Sequence, residues 1–162
     1  QEGWINIVPR KGMFVNNISI KEINDVFQVR SNLEPIILEM AFERLEKNIL
    51  EDLRIEFLTF LDKKELSSDD NTRLDYLDNQ FHLFILKNCN NNFIIKMMEN
   101  VYEHNMRIRN LSIQPKKRRI TATNEHIRII DAILEGNFQK AVKELKLHNS
   151  KAKEGFFNSF IE

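Results

Sequence analysis

The chain has 162 residues, enough for one domain that buries about two thirds of its unfolded surface. Its 24 basic and 24 acidic side chains cancel, which excludes a polyanion-binding surface spread over the whole chain. The single cysteine excludes an internal disulfide, and no apolar run reaches the roughly 18 residues of a membrane span. We therefore expect a soluble, cytoplasmic protein.

The first predicted element is a β-hairpin. Two short β-prone runs flank a turn at residues 9–12, PRKG. From Ser19 onward, an apolar period of 3.6 residues and a scarcity of Gly and Pro predict helices to the end of the chain. The pattern predicts an all-α protein of six or seven helices. Because the chain begins with Gln1 and not with methionine, we expect it to be a fragment of a longer protein.

Capping residues and polar breaks predict the helix boundaries. Ser19 and Glu22 form a capping-box pattern for the first helix. Pro35 either lies near the start of a second helix or kinks one long helix, and the pattern leaves both alternatives open. The later boundaries are predicted at polar or glycine breaks, namely residues 67–70, 90–92 and 114–116, and Gly136 followed by Asn137.

Two polar residues fall on the predicted buried face of the helix that follows residue 70. Asp78 and His82 lie in the same helical stripe as Leu74, Phe81 and Ile85. Because they are four residues apart, their side chains are one turn apart on one side of the helix. The carboxylate and the imidazole can therefore reach a common point.

Two later helices repeat this pattern with one histidine each. His126 precedes Ile129 and Ile130 at helical spacing, and His148 lies between Leu145 and Ala152. Burying a polar group without a partner costs on the order of a few kcal/mol, so four such groups are expected to share a partner. A divalent cation is the simplest shared partner.

Structural alternatives remain open at this point. A single inward histidine is commonly a hydrogen-bonded core residue, and an Asp and a His four apart commonly pair with each other. A purely structural bundle and a metal-dependent enzyme are the two rival hypotheses. Against the enzyme, the one identifiable general base is Glu125, and its place next to His126 turns it roughly 100° away on the helix.

The chain resembles a known family over its whole length. Residues 30–35 (RSNLEP), 78–82 (DNQFH) and 125–133 (EHIRIIDAI) resemble the motifs R-x-x-L-E, D-x-x-F-H and E-H-x-x-I-x-x-A-I of that family. Residues 136–141 (GNFQKA), followed by His148, resemble its G-D-x-x-x-A and following histidine, with Asn137 in place of the usual Asp. The family is the FCD effector domain of GntR-type bacterial transcription regulators of the FadR subfamily.

The resemblance implies a fold and a metal site. The fold is an antiparallel bundle of six or seven helices. The residues that match the family's metal ligands are Asp78, His82, His126 and His148. Three imidazoles and a carboxylate suit a divalent first-row ion, Zn or Ni first, and an expanded coordination sphere leaves open positions for a ligand.

The resemblance also implies a small organic acid as effector. A guanidinium pairs with a carboxylate through two parallel hydrogen bonds, so Arg30, and after it Arg107 and Arg109, are the predicted effector-binding residues. Each has an alternative: Arg30 pairs with Glu34 on its own helix, and the other two are solvated.

Residues outside the family motifs have structural explanations, namely His104 as a structural histidine and residues 116–119 (KKRR) as a solvated helix start.

The division of the chain follows from the same resemblance. Residues 1–17 resemble the C-terminal wing of a truncated winged helix-turn-helix DNA-binding domain, and residues 18–162 form the metal- and ligand-binding effector domain. Arg10, Lys11 and Gly12 in the turn are the predicted DNA-contacting residues. The predicted partners are DNA, a small organic acid and a second copy of the chain, and no catalytic residue is predicted.

Overall fold

Six α-helices follow a short β-hairpin. The computed structural model describes residues 5–8, 10, 12–15, 18–112 and 114–161. The helices are α1 (Ile20–Ala41), α2 (Lys47–Leu58), α3 (Ser68–Lys87), α4 (Asn92–Leu111), α5 (Lys116–Leu134) and α6 (Phe138–Ile161), with one 3₁₀ turn, Phe42–Arg44, after α1. The prediction of an all-α bundle behind a hairpin is confirmed.

The hairpin is formed by β1 (Ile5–Val8) and β2 (Gly12–Val15). The strands pair antiparallel, with Ile5 opposite Val15 and Val8 opposite Gly12. Arg10 and Gly12 adopt left-handed backbone angles, with φ of 66° and 102°, as a tight turn between antiparallel strands requires. Arg10 is exposed at this turn, whereas the predicted DNA contact Lys11 lies outside the described residues.

Helix α1 is one continuous helix with Pro35 inside it, which decides between the two alternatives left open by the sequence. Pro35 removes one backbone donor from the helix. Burial on both sides of it keeps the helix intact, because Arg30 and Glu34 are buried before it and Ile37 and Leu38 after it. The side chain of Ser19 caps the start of α1 by accepting a bond from the Glu22 amide at 3.0 Å.

The predicted breaks end and begin the other helices. Ser67 and Asp70 form a reciprocal capping box at the start of α3. Gly136 adopts φ of 72° after α5, where a left-handed residue closes the helix. Asn137 then accepts a bond from the Lys140 amide at 3.0 Å and caps α6. The capping predictions at these positions are confirmed.

The buried side chains form two apolar clusters that border one polar site. The larger cluster contains Phe57 and Phe81, which contact the ring of His126. The smaller cluster contains Phe27 and Phe156. Among the described residues, no helix is both long enough and apolar enough to cross a membrane. The polar groups between the two clusters need a separate explanation.

Candidate metal centre

Four buried side chains from three helices meet at one point. Asp78 and His82 come from α3, His126 from α5 and His148 from α6. One nitrogen or carboxylate oxygen of each lies within 4.8 Å of the corresponding atom of the other three. All four side chains are buried. Helical spacing places each residue on an inward face of its helix, and the packing of the helices brings the four side chains together.

The ring of His126 is held in one orientation. Its Nδ1 lies 2.9 Å from the carbonyl oxygen of Ala122, one turn earlier on α5, and donates a hydrogen bond to it. Phe57 stacks on the ring with centroids 5.0 Å apart and an interplanar angle of 5°, and Phe81 meets it edge-on at 5.2 Å. Because the ring proton of the neutral imidazole is on Nδ1, Nε2 carries a lone pair.

The lone pair of His126 lies next to a carboxylate. Nε2 is 3.2 Å from Oδ1 of Asp78, but no hydrogen-bond partner is aligned with this buried nitrogen in the described part of the chain. Two acceptors that face each other out of contact with water are unfavourable unless a cation lies near both. A buried polar atom of this kind is what a metal site without its ion contains.

His148 has a carboxylate behind it. Its Nδ1 donates to Oε2 of Glu125 at 2.9 Å, and both residues are buried. Arg118 in turn bonds both oxygens of Glu125, at 3.3 and 3.2 Å. A carboxylate that accepts the Nδ1 proton leaves the lone pair on Nε2 and raises the basicity of the ring, which is a common arrangement for a metal-bound histidine.

The carboxylate of Asp78 is oriented by an arginine. Its Oδ2 accepts a hydrogen bond from Arg109 Nη2 at 2.5 Å, which leaves Oδ1 on the side of His126. The second terminal nitrogen of Arg109 bonds Asp75 at 3.3 Å. The carboxylate therefore has one oxygen bound to the protein and one oxygen directed to the cluster.

His82 contacts a buried network that reaches α1. The Arg30 guanidinium lies 3.3 Å from His82 Nε2, and because arginine only donates, this nitrogen is the acceptor. Arg30 also bonds Glu34 at 2.7 Å, Asn105 at 2.9 Å and Asn149 at 3.3 Å. An ion that took Nε2 of His82 would replace the hydrogen bond from Arg30.

The electrostatics of the site favour the protonation states that a cation needs. Burial lowers the pKa of His148 to about 3, assisted by the nearby His126, and the Glu125 bond only partly opposes this. Burial and the Arg30 charge hold the pKa of His82 well below its usual range. For Asp78, burial opposes ionisation, but the charge of Arg109 outweighs it and lowers the pKa well below the usual value. At neutral pH the site therefore presents a carboxylate and neutral imidazoles from His82 and His148.

The donor set fits a divalent ion closely. Ligand atoms about 2.1 Å from a tetrahedral ion are roughly 3.4 Å apart. In this cluster the ligand atoms lie within 4.8 Å of one another, so small shifts of the side chains would bring them to the distances that an ion requires. When bound, the ion would supply Lewis acidity and coordination positions for oxygen ligands.

A small cleft leads from the surface to two of these side chains. It has a volume of about 50 Å³ and is bordered by Asp78, His148, Arg109, Arg118, Arg119 and Phe156, among others. A second cavity of about 40 Å³ also reaches Asp78 and shares Arg109 and Arg119 with the first. A ligand in this cleft would touch the metal cluster and the arginines together.

The predicted effector-binding arginines occupy three different places. Arg109 borders the cleft. Arg30 is buried and paired with Glu34, which is the structural alternative predicted for it, and it also contacts His82. Arg107 bonds Glu22 of α1 at 3.0 Å. His104 Nδ1 lies 3.1 Å from the same Glu22 oxygen and does not belong to the four-residue cluster.

Sequence reasoning missed three residues of α5 that border or support the site. Arg118 and Arg119 line the cleft, so the interpretation of the basic run as a solvated helix start is wrong for these two. The missed signal is periodicity, because they lie eight and seven residues before His126 and so share its inward face. The sequence predicts that Glu125 turns away from the site, whereas its carboxylate reaches His148 on α6.

The position of Glu125 bears on the enzyme hypothesis. Its carboxylate lies on the Nδ1 side of His148, where it orients the ring. A general base must reach the water that an open metal activates. Glu125 is engaged with His148, Arg118 and Lys151, which assigns it a supporting role in the site.

Comparison with known proteins identifies the family. Residues 25–151 match the model of the FCD domain, so the chain belongs to the FCD domain family. FCD domains are the effector-binding domains of GntR-type transcription regulators, and the chain is a domain of this class. The resemblance drawn from the sequence motifs is confirmed.

Two curated relatives are regulators. The chain is 20% identical over 148 residues to the uncharacterized HTH-type transcriptional regulator YdhC of Bacillus subtilis, covering 91% of the chain and 66% of YdhC. It is 25% identical over 106 residues to the HTH-type transcriptional repressor GlaR of Escherichia coli, covering 63% of the chain and 47% of GlaR. The chain thus spans between about half and two thirds of these relatives.

A solved structure shares the fold. The metal-free FCD domain of TM0439, a candidate transcriptional regulator, aligns with a TM-score of 0.76 at 20% identity, covering 90% of this chain and 99% of that one. The Zn²⁺-bound form of the same domain aligns with a TM-score of 0.72 at 19% identity, covering 90% and 98%. These similarities establish the fold of the bundle, in agreement with the all-α prediction.

We predict that Zn²⁺ or Ni²⁺ binds at one ion per chain. His82→Ala or His148→Ala should weaken binding by at least about tenfold, because each removes one ligand from a four-ligand set. His104→Ala is the matched control and should leave the dissociation constant unchanged. Competition titration with a chromophoric chelator measures these constants. An equal loss in the His104 variant would contradict the ligand set.

We also predict a contribution from Glu125. Glu125→Gln should weaken metal binding by about tenfold, because a neutral amide makes His148 less basic than a carboxylate does. Glu144→Gln is the control, because Glu144 forms a surface pair with Arg128 at 2.9 Å. The same chelator titration applies, with circular dichroism to verify the fold. Identical metal affinities for the two variants would rule out the supporting role.

Proposed function

We propose that this chain is the metal-dependent, acid-sensing domain of a homodimeric bacterial transcription regulator. Asp78, His82, His126 and His148 hold a divalent ion, and a small carboxylate completes its coordination sphere. The observation that carries the proposal is the buried Nε2 of His126, which faces the Asp78 carboxylate at 3.2 Å without an aligned hydrogen bond. The Zn²⁺-bound form of the similar FCD domain of TM0439 supports it.

The metal is Zn or Ni in this proposal. Imidazole nitrogens suit both ions, and one carboxylate is compatible with either. The outer contacts support the ligand roles, because Ala122 orients His126, Glu125 orients His148 and Arg109 orients Asp78.

The effector is a small organic acid that enters the cleft beside Asp78 and His148. One of its oxygens takes an open position of the metal, and a guanidinium pairs with its carboxylate. Arg109 borders this cleft directly. Arg30 lies behind His82 and can contact the acid only if its hydrogen bond to that ring breaks.

The signal reaches the DNA-binding part through α1. The ligands lie on α3, α5 and α6, and Arg30 joins α1 to α3, α4 and α6 through three buried hydrogen bonds or contacts. Metal and acid binding biases this network toward one arrangement of α1 and of the preceding hairpin. A ligand shifts such an equilibrium only by its differential affinity for the two states.

DNA binding belongs to the whole regulator. In this proposal residues 1–17 are the end of a winged helix-turn-helix domain and residues 18–162 the effector domain. The exposed Arg10 at the hairpin turn, with Lys11 and Gly12, approaches the phosphate backbone or minor groove. Such a regulator works in the cytoplasm, where its operator lies.

The metalloenzyme alternative is not favoured. The regulator relatives point to a non-enzymatic role. Glu125, the one candidate base named from the sequence, is bonded to His148 Nδ1, Arg118 and Lys151.

The effector hypothesis predicts that acid binding depends on the metal. Calorimetry with a panel of mono- and dicarboxylic acids should yield a binder whose affinity falls at least about tenfold after chelation, within the usual coupling range of about 1 to 3 kcal/mol. A chelated protein that binds the acid equally well would overturn the metal-mediated mechanism.

The Arg30 assignment needs its own variant. Arg30→Met combined with Glu34→Gln removes the buried pair without leaving one charge alone. If Arg30 reaches the acid, this double variant loses acid binding while it keeps the metal. Retained acid binding would remove Arg30 from the effector site and leave Arg109 as the principal cation.

The second copy of the chain is proposed to pack on α1 and α4. Val29 and Val101 line an open groove of about 380 Å³ between these helices. By helical spacing the same sides continue to Ile36 on α1 and to Met97 and Phe93 on α4. Phe93 is 88% exposed, and a contiguous exposed apolar surface of this kind is typical of protein interfaces.

Met97→Glu should therefore weaken self-association by at least about tenfold, because it places a charge on the apolar surface. Sedimentation equilibrium measures the change. Ile55→Glu, at an exposed position of α2, is the matched control and should leave the association constant as it is. Equal association of both variants would move the interface elsewhere.

A further inference from the structure

The charges around the cleft restrict the kind of acid that fits it. Three guanidiniums border the cleft, from Arg109, Arg118 and Arg119. Three carboxylates pair with them: Asp78 with Arg109, Glu125 with Arg118, and Asp75 with both Arg109 and Arg119. The six formal charges of these ion pairs cancel, and the partly exposed Lys151, 3.6 Å from Glu125, adds only to the positive side. The ion pairs of the cleft are therefore balanced before an ion enters, with no excess negative charge.

A divalent ion adds two positive charges to this balanced site. The side chains of Arg109, Arg118 and Arg119 are each less than one fifth exposed, so solvent compensates the added charge only in part. Uncompensated charge in a partly buried site is costly. A ligand that carries two negative charges restores the balance, whereas a monocarboxylate restores half of it.

The hydrogen-bond donors of the cleft support a second anionic group. Each guanidinium has five N–H donors, and the described bonds of Arg109 and of Arg118 each use two of them. Arg119 uses Nη1 for Asp75 at 2.8 Å and for the backbone of Asn71 at 3.5 Å. N–H donors beyond these described bonds therefore remain on all three guanidiniums that border the cleft.

The size of the cleft limits the length of the ligand. A water-sized group needs about 10 to 15 Å³ of such space, so a cleft of about 50 Å³ holds roughly three to five groups. Its outer end is open, and the second cavity lies beside the Arg109 and Asp78 pair. The cleft therefore encloses one end of a short acid, and the other end of the acid lies at the open mouth.

We propose that the effector of this domain is a short dicarboxylate, with one carboxylate on the metal and the second on Arg119 and its neighbour Arg118. The inference rests on the proposed function and adds the charge of the ligand and the residues that select it. Arg119 is the specificity-determining residue, because it borders the cleft and contacts none of the four candidate metal ligands.

The test compares two acids of equal length. Succinate and butyrate both have four carbons and differ in one carboxylate. Calorimetry on the Zn²⁺-loaded chain should give succinate an affinity at least about tenfold higher than butyrate, the gain expected of one charge-assisted pair. Inorganic phosphate is the third probe, because it offers the same charge without a carboxylate.

A variant isolates the second carboxylate. Arg119→Gln should reduce the preference for succinate over butyrate to about twofold or less, while the variant still binds Zn²⁺ and butyrate. Arg119→Lys should restore part of the preference, because it restores the charge. Arg128→Gln, on the same helix but paired with Glu144 and outside the cleft lining, is the matched control and should keep the full preference.

The outcomes separate this inference from the proposed function. Equal affinities for succinate and butyrate, both lost on chelation, would overturn the dicarboxylate and leave the metal-dependent acid sensor intact. Phosphate binding as tightly as succinate would overturn the carboxylate class. Failure of every acid to bind the Zn²⁺-loaded chain would overturn both. Loss of Zn²⁺ binding in Arg119→Gln would reveal a structural role and overturn the selectivity role.

Discussion

The arrangement of this bundle depends on one buried carboxylate. Burial opposes the ionisation of Asp78, but Arg109, which bonds one of its oxygens, outweighs burial and holds the pKa of the carboxyl low. A buried charge is tolerated only where the surrounding groups compensate it. The helices that carry His82, His126 and His148 meet at this carboxylate, and the apolar rings of Phe57 and Phe81 close the space around it.

Contacts behind the cluster explain how the rings of His126 and His148 are oriented. A carbonyl oxygen takes the Nδ1 proton of His126, and the carboxylate of Glu125 takes that of His148. Each choice leaves a lone pair for the cluster. His82 differs, because its Nε2 accepts from Arg30, whose other bonds reach Glu34, Asn105 and Asn149. His82 is therefore the candidate ligand that contacts α1, and an ion bound at its Nε2 would replace the hydrogen bond from Arg30.

The same packing separates sensing from catalysis. Charged groups are abundant around the cleft, but each carboxylate that borders or supports it is bonded to an arginine or a histidine. In the proposed sensor, such groups hold the bound acid and respond to its charge. They are poorly suited to take a proton from water, because their lone pairs are occupied and positive neighbours lower their basicity.

The sequence alone determined the elements and the faces of this protein. Local rules decide where helices begin and end, so the caps at Ser67, Gly136 and Asn137 could be predicted, and helical periodicity decides which side chains turn inward. Only the tertiary structure decided which inward side chains meet. Glu125 contacts a histidine 23 positions away, and Arg119 reaches Asp75 across 44 positions. The packing of α5 on its neighbours makes these contacts, and periodicity along one helix carries no information about the helix it meets. The continuity of α1 through Pro35 was decided in the same way, because burial on both sides of the proline outweighs its local preference.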